Sequence, residues 1–306
     1  MQAPFPRPWD NLSRSGGAWD NLSVLPQPQT PSGGSDRDGQ GFVDIHTHVL
    51  PGFDDGPASM EDAVKMLNLA RSTGTAVLVA SPHASPAFAY DRARTESMLD
   101  QLRARAPSGL RLVRGCDFHL TFTNVERALV SPADFAINGR CWLLMELSEL
   151  TVFSNTGALW QRLEDAGLRV ILTHPERNAL LRQRFDLVRQ WVDQGRCMQI
   201  TAGSLFGDFG RAARQFAIRL LDAGLVQFLA SDAHDLSRRP PRLDLAYRWL
   251  AERYGESYAL RLVAGNPLRA VEGLPLEPGA FRPPERRGGW LSRLLRRAPA
   301  DDFSSR

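Results

Sequence analysis

The sequence predicts an α/β fold: a distorted barrel of seven parallel strand–helix units in a single domain, with an extension at each end. Three observations predict it. From residue 42 onward, short apolar runs with strand character alternate strictly with helical patterns. The alternation fills about residues 41–275, which suits one α/β barrel of roughly 250 residues better than two domains of ~150. All six histidines, His46, His48, His83, His119, His174 and His234, follow such apolar runs. A parallel barrel gathers side chains in this way, because the ends of all its strands open onto one mouth.

Residues 1–40 are rich in Pro, Gly, Ser, Gln and Asp and are expected to form no packed core. Within them Trp9-Asp10-Asn11-Leu12-Ser13 recurs as Trp19-Asp20-Asn21-Leu22-Ser23. The repeat reads either as a docking motif on a flexible arm or as a duplication tolerated in a tail. Strands are expected at 42–46, 75–80, 110–116, 141–147, 169–173, 197–201 and 226–230. Helical patterns lie at 59–72, 94–105, 123–130, 156–166, 179–194 and 211–223, and two more follow the last strand at 241–254 and 256–264. Gly74, Gly109, Gly167, Gly195 and Gly224 fall near the helix ends, where a left-handed residue is often required. Strict alternation implies parallel pairing with right-handed crossovers. No Gly-x-Gly-x-x-Gly follows the first strand, which removes a dinucleotide-binding sheet.

Composition excludes several classes. Hydrophobic residues make up 43% and charged residues 23%, ordinary for a globular protein. The net charge of +3 comes from the end of the chain: from Arg282 onward seven arginines face only Glu285, Asp301 and Asp302, a balance of +4 that leaves the rest near −1. A near-neutral folded part gives no reason to expect nucleic acid. Cys116, Cys141 and Cys197 are odd in number and widely spaced, as free thiols in a reducing compartment would be. No run reaches the ~18 apolar residues of a membrane span, and the start lacks a signal-peptide layout, so a cytoplasmic location is expected. The tail at 276–306 is basic and partly amphipathic: Trp290, Leu291, Leu294 and Leu295 would share one helical face against arginines. It suits peripheral contact with an anionic membrane or an acidic partner, or else it is simply a solvated end.

The strand ends carry the chemistry. Residues i and i+2 of a strand share a face, so His46 and His48 can grip one cation. Asp54 and Asp55 follow in a turn. Later strands end in Ser81-Pro82-His83, Asp117-Phe118-His119, Met145-Glu146, Thr173-His174-Pro175-Glu176-Arg177 and Ser231-Asp232-Ala233-His234. Core histidines and helix caps would explain one such position but not all of them, since buried imidazoles without partners are costly. A cysteine phosphatase is excluded: an arginine is needed six residues after the thiolate, and Phe122, Leu147 and Gly203 stand there.

These motifs, together with Asp54-Asp55-Gly56, Gln199-Ile200-Thr201-Ala202-Gly203-Ser204-Leu205, Arg239-Pro240-Pro241 and Asn266-Pro267, resemble the polymerase and histidinol phosphatase (PHP) superfamily. Within it they are most similar to the manganese-dependent protein-tyrosine phosphatases of bacterial capsule and exopolysaccharide loci. The resemblance covers residues 42–274. It implies three divalent metals at the mouth of a distorted barrel: one held by His46, His48, Asp117 and Asp232, a second by Asp117, Glu146 and His174, and a third by Asp55, His83 and His234. Manganese is the first expectation, although nitrogen and oxygen ligands also suit iron, zinc or cobalt. Asp117 stands where the family has glutamate and is one methylene shorter. His119, on the same face, either compensates or is a loop histidine.

Metal ions would lower the pKa of bound water toward ~7, so that metal-bound hydroxide attacks the phosphorus while the cations neutralise the dianion. Arg177 and Arg239 lie just past His174 and His234, and their rigid donor forks match phosphate oxygens; the plainer alternative is surface ion pairing. The implied substrate is a phosphotyrosine protein, in relatives a membrane-bound tyrosine autokinase that controls polysaccharide export. The rival readings are another PHP phosphoesterase acting on histidinol phosphate or a nucleotide, and a regulator that binds phosphotyrosine without turnover. An amidohydrolase bridged by a modified lysine fits less well, because Lys65, the only lysine, falls mid-helix.

Overall fold

The computed structural model describes residues 41–148, 152, 154–277 and 279. The Trp-Asp-Asn-Leu-Ser repeat and the amphipathic tail lie outside these residues. Among the described residues nine strands run in chain order: β1 (Phe42–Thr47), β2 (Thr75–Ala80), β3 (His83–Ala84), β4 (Arg111–Arg114), β5 (Asp117–His119), β6 (Trp142–Glu146), β7 (Arg169–Thr173), β8 (Cys197–Thr201) and β9 (Phe228–Ala230). Every pairing is parallel, in the orders β1-β2-β4 and β3-β5-β6-β7-β8-β9.

The nine strands are seven staves, two of them broken. Ser81-Pro82 interrupts the second stave and Gly115-Cys116 the third. Proline cannot donate to a ladder, yet pairing resumes at once: Gly115 N–H donates to Ala80 O (2.8 Å) and Asp117 N–H to Pro82 O (3.0 Å). The last stave meets the first through a parallel bridge between Thr47 and Ala233, with His48 N–H donating to Ala233 O (2.8 Å). The predicted continuous strands at 75–80 and 110–116 are thus each extended beyond a break. Those extensions carry His83, Asp117 and His119.

Helices cover the outside. All five glycines singled out above have positive φ, from 72° to 100°. The helix expected at 179–194 is two, Ala179–Gln183 and Phe185–Asp193, divided at Arg184, which leaves helical geometry at ψ 51°. A helix at Asn266–Val271, absent from the sequence reading, closes the end away from the mouth with a π-helical turn at Arg261–Gly265. Inside the barrel, Val43, Ile45, Val77, Val79, Trp142, Leu144, Ile171, Cys197 and Phe228 form one apolar cluster. A larger cluster packs β5–β9 against the surrounding helices. The three cysteines are free thiols, as expected.

Candidate metal centre

The first stave shows how local irregularity builds the site. Val43 pairs with Val77 and Ile45 joins the interior cluster, so simple alternation would turn His46 outward. The register slips between Asp44 and Thr47, as a β-bulge does, and His46 swings in alongside His48. Their Nε2 atoms face each other at 3.2 Å. Two further positions are set by backbone strain. His174 (φ 34°) and Asp232 (φ 54°), one and two residues past their strands, occupy the left-handed region, and such strain persists where the surroundings impose it.

Nearly all the sequence candidates meet at this mouth, in four overlapping groups of donor atoms: His48, Asp55, His83 and His234; His83, Asp117, His119 and Glu146; His46, Asp117 and His174; and His46, His48 and Asp232. Asp117 belongs to two groups, as the bridging role that the resemblance implies would require. Its Oδ2 lies 2.9 Å from His83 Nδ1 and 3.6 Å from His46 Nε2. Asp55 Oδ1 lies 3.2 Å from His234 Nε2 and 3.5 Å from His83 Nε2. The grouping differs from the implied one: Asp117 is not in the His46, His48 and Asp232 group, His46 rather than Glu146 stands with Asp117 and His174, and His48 joins Asp55, His83 and His234. His83 reaches Asp117 and Glu146 as well as Asp55, and His119 closes on Glu146 in a short ion pair. The short Asp117 side chain is thus accompanied by a histidine two residues on, and His119 is no mere loop residue.

A second layer orients the imidazoles. His46 Nδ1–H donates to Gln199 Oε1 (2.9 Å), His48 Nδ1–H to Asp54 Oδ2 (2.7 Å) and His234 Nδ1–H to Asp232 O (2.9 Å). In the neutral form of each ring Nε2 is then the nitrogen whose lone pair would face the cluster, the tautomer a metal ligand needs. Asp54 also accepts from the backbone of His83 (3.0 Å) and Gly56 (3.0 Å). Gly56 packs so closely on the His48 carbonyl that any side chain there would collide with backbone.

The donor set fits cations. Both oxygens of Asp117, Asp55 Oδ1, Glu146 Oε2, His83 Nδ1 and His234 Nε2 are buried and meet only one another and the neighbouring imidazoles, with no hydrogen-bond partner outside the cluster. Buried polar atoms are rarely left so, and a convergent set of lone pairs is what an ion satisfies. Charge coupling is correspondingly strong. Burial opposes charge on His46, but the Asp232 and Asp117 carboxylates outweigh it and raise its pKa to about 9. Burial likewise opposes charge on His83, which Asp117 and Asp55 lift to about 11. His234 is pushed down to about 4 by burial, His48 and Arg239. Burial and the Asp117 charge raise Glu146.

Asp232 links the centre to the arginines. Its Oδ1 faces His46 Nε2 (3.4 Å) and His48 Nε2 (3.5 Å), while its Oδ2 accepts from Arg177 Nη1 (2.7 Å) and, in a short contact, from Arg239 Nη2. The arginine pairs are thus at the centre and not on the open surface.

A family model for capsular polysaccharide synthesis, CpsB/CapC, matches residues 42–272. The chain belongs to the CpsB/CapC family. Among the relatives of this CpsB/CapC chain is CapC of Staphylococcus aureus, 34% identical over 203 residues, 65% of this chain and 79% of the relative. Another is the tyrosine-protein phosphatase YwqE of Bacillus subtilis, 30% identical over 231 residues, 74% of this chain and 91% of the relative. The fold matches a chain from crystal structures of YwqE and of CpsB from Streptococcus pneumoniae, described as metal-dependent tyrosine phosphatases, with TM-score 0.71 and 28% identity, covering 80% of this chain and 98% of that one.

Sequence reasoning gave no role to two buried polar residues beside the centre. Gln199 was noted only as part of a motif. Glu176, also inside a motif, is fully buried and accepts from Thr201 N–H (2.9 Å) and Ser204 Oγ–H (2.8 Å), tying the loop after β7 to the turn after β8. Burial raises its pKa to about 7. Among the described residues no helix is long and apolar enough to cross a membrane.

Proposed function

We propose that this CpsB/CapC chain is a metal-dependent protein-tyrosine phosphatase whose catalytic unit is residues 41–275. The observation that carries the reading is the convergence of buried, unsatisfied nitrogen and oxygen donors on a shared Asp117, with two arginines fixed on Asp232 at the edge of the same cluster. His46, His48, Asp117 and Asp232, then Asp117, Glu146 and His174, then Asp55, His83 and His234 would hold three divalent cations, manganese first among them, with His119 assisting at Glu146. When bound, such ions neutralise a phosphoryl dianion and acidify bound water from 15.7 toward ~7.

The chain's own residues supply the rest. Arg177 and Arg239 direct guanidinium donors at the phosphoryl oxygens and hold the ester in line for displacement. Asp232 sets their spacing by anchoring both with one oxygen. Tyrosine leaves as a phenolate of pKa about 10, so departure asks less of a proton donor than an alkoxide would. Substrates are phosphotyrosine proteins, and a membrane-bound tyrosine kinase met at the cytoplasmic face is the partner that suits a basic tail.

The test is hydrolysis of a phosphotyrosine peptide by manganese-reconstituted wild type and His46→Ala, beside histidinol phosphate and a nucleotide. Turnover of the peptide that needs metal and is lost in His46→Ala supports the proposal. Activity surviving that substitution, or preference for either other substrate, overturns it. Full metal occupancy without turnover would mark a phosphotyrosine-binding regulator. Deleting residues 283–306 should leave small-substrate turnover intact.

A further inference from the structure

Phe209 lies between the two arginines. The Arg177 guanidinium sits 4.6 Å from its ring centroid and that of Arg239 sits 5.6 Å away. Nearby Phe206 packs against the main core, whereas Phe209 is half-buried outside it. The loop that carries it is bounded by Gly207 (φ 99°) and Gly210 (φ 86°), and Gly207 and Asp208 donate backbone N–H groups to Gly203 O at 3.1 and 3.2 Å. This tight turn fixes the ring at the N-terminal end of the helix Gly210–Asp222.

The arrangement answers an electrostatic difficulty. Arg177 and Arg239 converge on the same oxygen of Asp232, so two like charges are held close together. One carboxylate, itself turned toward the imidazoles, neutralises only part of this charge. An aromatic ring presents a negative face, attracts each guanidinium, and restricts the rotation of side chains that otherwise have many rotamers.

We propose that Phe209 is a positioning residue for phosphoryl recognition: its ring braces Arg177 and Arg239 in the orientation that receives the phosphate of a phosphotyrosine. The proposal rests on the phosphatase reading above. It assigns Phe209 no contact with the reacting atoms. It acts through the two arginines.

The test compares wild type with Phe209→Leu, which keeps apolar bulk and removes the ring, and with Phe209→Tyr, which keeps the ring. In the zinc-loaded, diamagnetic full chain, the Nε–Hε resonances of Arg177 and Arg239, assigned with Arg177→Lys and Arg239→Lys, should be ring-current shielded. They should lose that shielding in Phe209→Leu and retain it in Phe209→Tyr. In parallel, KM for a phosphotyrosine peptide should rise on the order of ten-fold in Phe209→Leu and return to near wild type in Phe209→Tyr. Unmoved resonances, an unchanged KM in Phe209→Leu, or a Phe209→Tyr variant as impaired as the leucine variant would overturn the proposal. The two readings fail separately. Wild type without peptide turnover defeats the phosphatase reading, while the resonances still report whether the ring braces the arginines.

Discussion

The two ends of the barrel interior obey opposite rules. Toward the floor, Trp142 and Phe228 meet edge to face at 5.7 Å, surrounded by Val43, Ile171, Ala270 and Val271. The one polar atom of the Trp142 side chain is satisfied, its Nε1–H donating to Leu274 O (2.9 Å). At the mouth, a few residues further along the same strands, six imidazoles and four acids crowd together, two residues have left-handed backbone, and several buried polar atoms have no hydrogen-bond partner outside the cluster. The floor is packed as an apolar core, with only isolated exceptions such as left-handed Asn138 (φ 54°) and the unpartnered Nε2 of Gln227. The mouth breaks several rules of such a core, as functional sites do when the rest of the fold offsets the cost. Stability and chemistry should therefore be separable by mutation.

The largest effect belongs to the mouth. His46→Ala should reduce phosphotyrosine hydrolysis by on the order of 10²–10³-fold or more, while thermal unfolding of the metal-free chain changes little above about pH 9, where His46 has lost its proton. Calorimetry on chelated protein, beside the hydrolysis assay, checks both halves. Trp142→Ala should behave in the opposite way. Emptying a buried indole costs about 3–5 kcal/mol, measured as a shift of the urea midpoint, with turnover per folded molecule unchanged. If Trp142→Ala lost activity in the folded state as completely as His46→Ala, the separation of the two ends would fail.

Between these extremes lies the orienting layer. Gln199→Ala removes the acceptor that fixes the His46 tautomer and should weaken metal binding by about 10–100-fold, read by competition with a chelating dye. The same measurement against pH has a definite sign. In the metal-free chain His46 holds its proton up to about pH 9 and His83 to about pH 11. A cation must displace those protons, so affinity falls as pH falls, by about ten-fold per unit for each proton released. Stability of the metal-free chain runs the other way: protonated His46 and His83 favour the folded state below their unfolded pKa of about 6.5, and that contribution is lost as pH rises through 9 and 11.

The contrast between floor and mouth also explains how much the sequence disclosed. Alternating strands and helices, and a histidine or carboxylate after strand upon strand, are local patterns, so the barrel and its candidate ligands were legible. The breaks at Ser81-Pro82 and Gly115-Cys116 and the slip before Thr47 were not, because they depend on what the neighbouring stave permits. Gln199 meets His46 across 153 residues, and no local pattern marks a glutamine in an apolar strand as its partner. Phe209 resembles any other half-buried aromatic residue until the arginines on either side of it are known. Asp54, beside Asp55 in the same turn, could have been either the ligand or the orienting acid. Only geometry divides those roles, with Asp54 on His48 and Asp55 facing His83 and His234.

The smallest expected effect belongs to a residue that serves both regions. Asn178 caps the helix Ala179–Gln183 by accepting from Leu180 N–H (3.0 Å) and Leu181 N–H (2.9 Å), and its Nδ2 donates to Ser148 O (2.7 Å) beyond β6. It directly follows Arg177, so the cap that ends the mouth loop also sets where that guanidinium begins its reach. Asn178→Asp keeps the cap acceptor and loses the donor to Ser148, whereas Asn178→Ala loses both. Alanine should cost about 1–2 kcal/mol and raise KM for the phosphotyrosine peptide a few-fold, because Arg177 loses a fixed base. Aspartate should recover most of the stability through the helix terminus but less of the KM, since the tie to β6 is still missing. A KM that recovered in step with stability would show that the loop takes its position from the helix alone, and that the boundary between floor and mouth lies nearer the metal centre than Asn178.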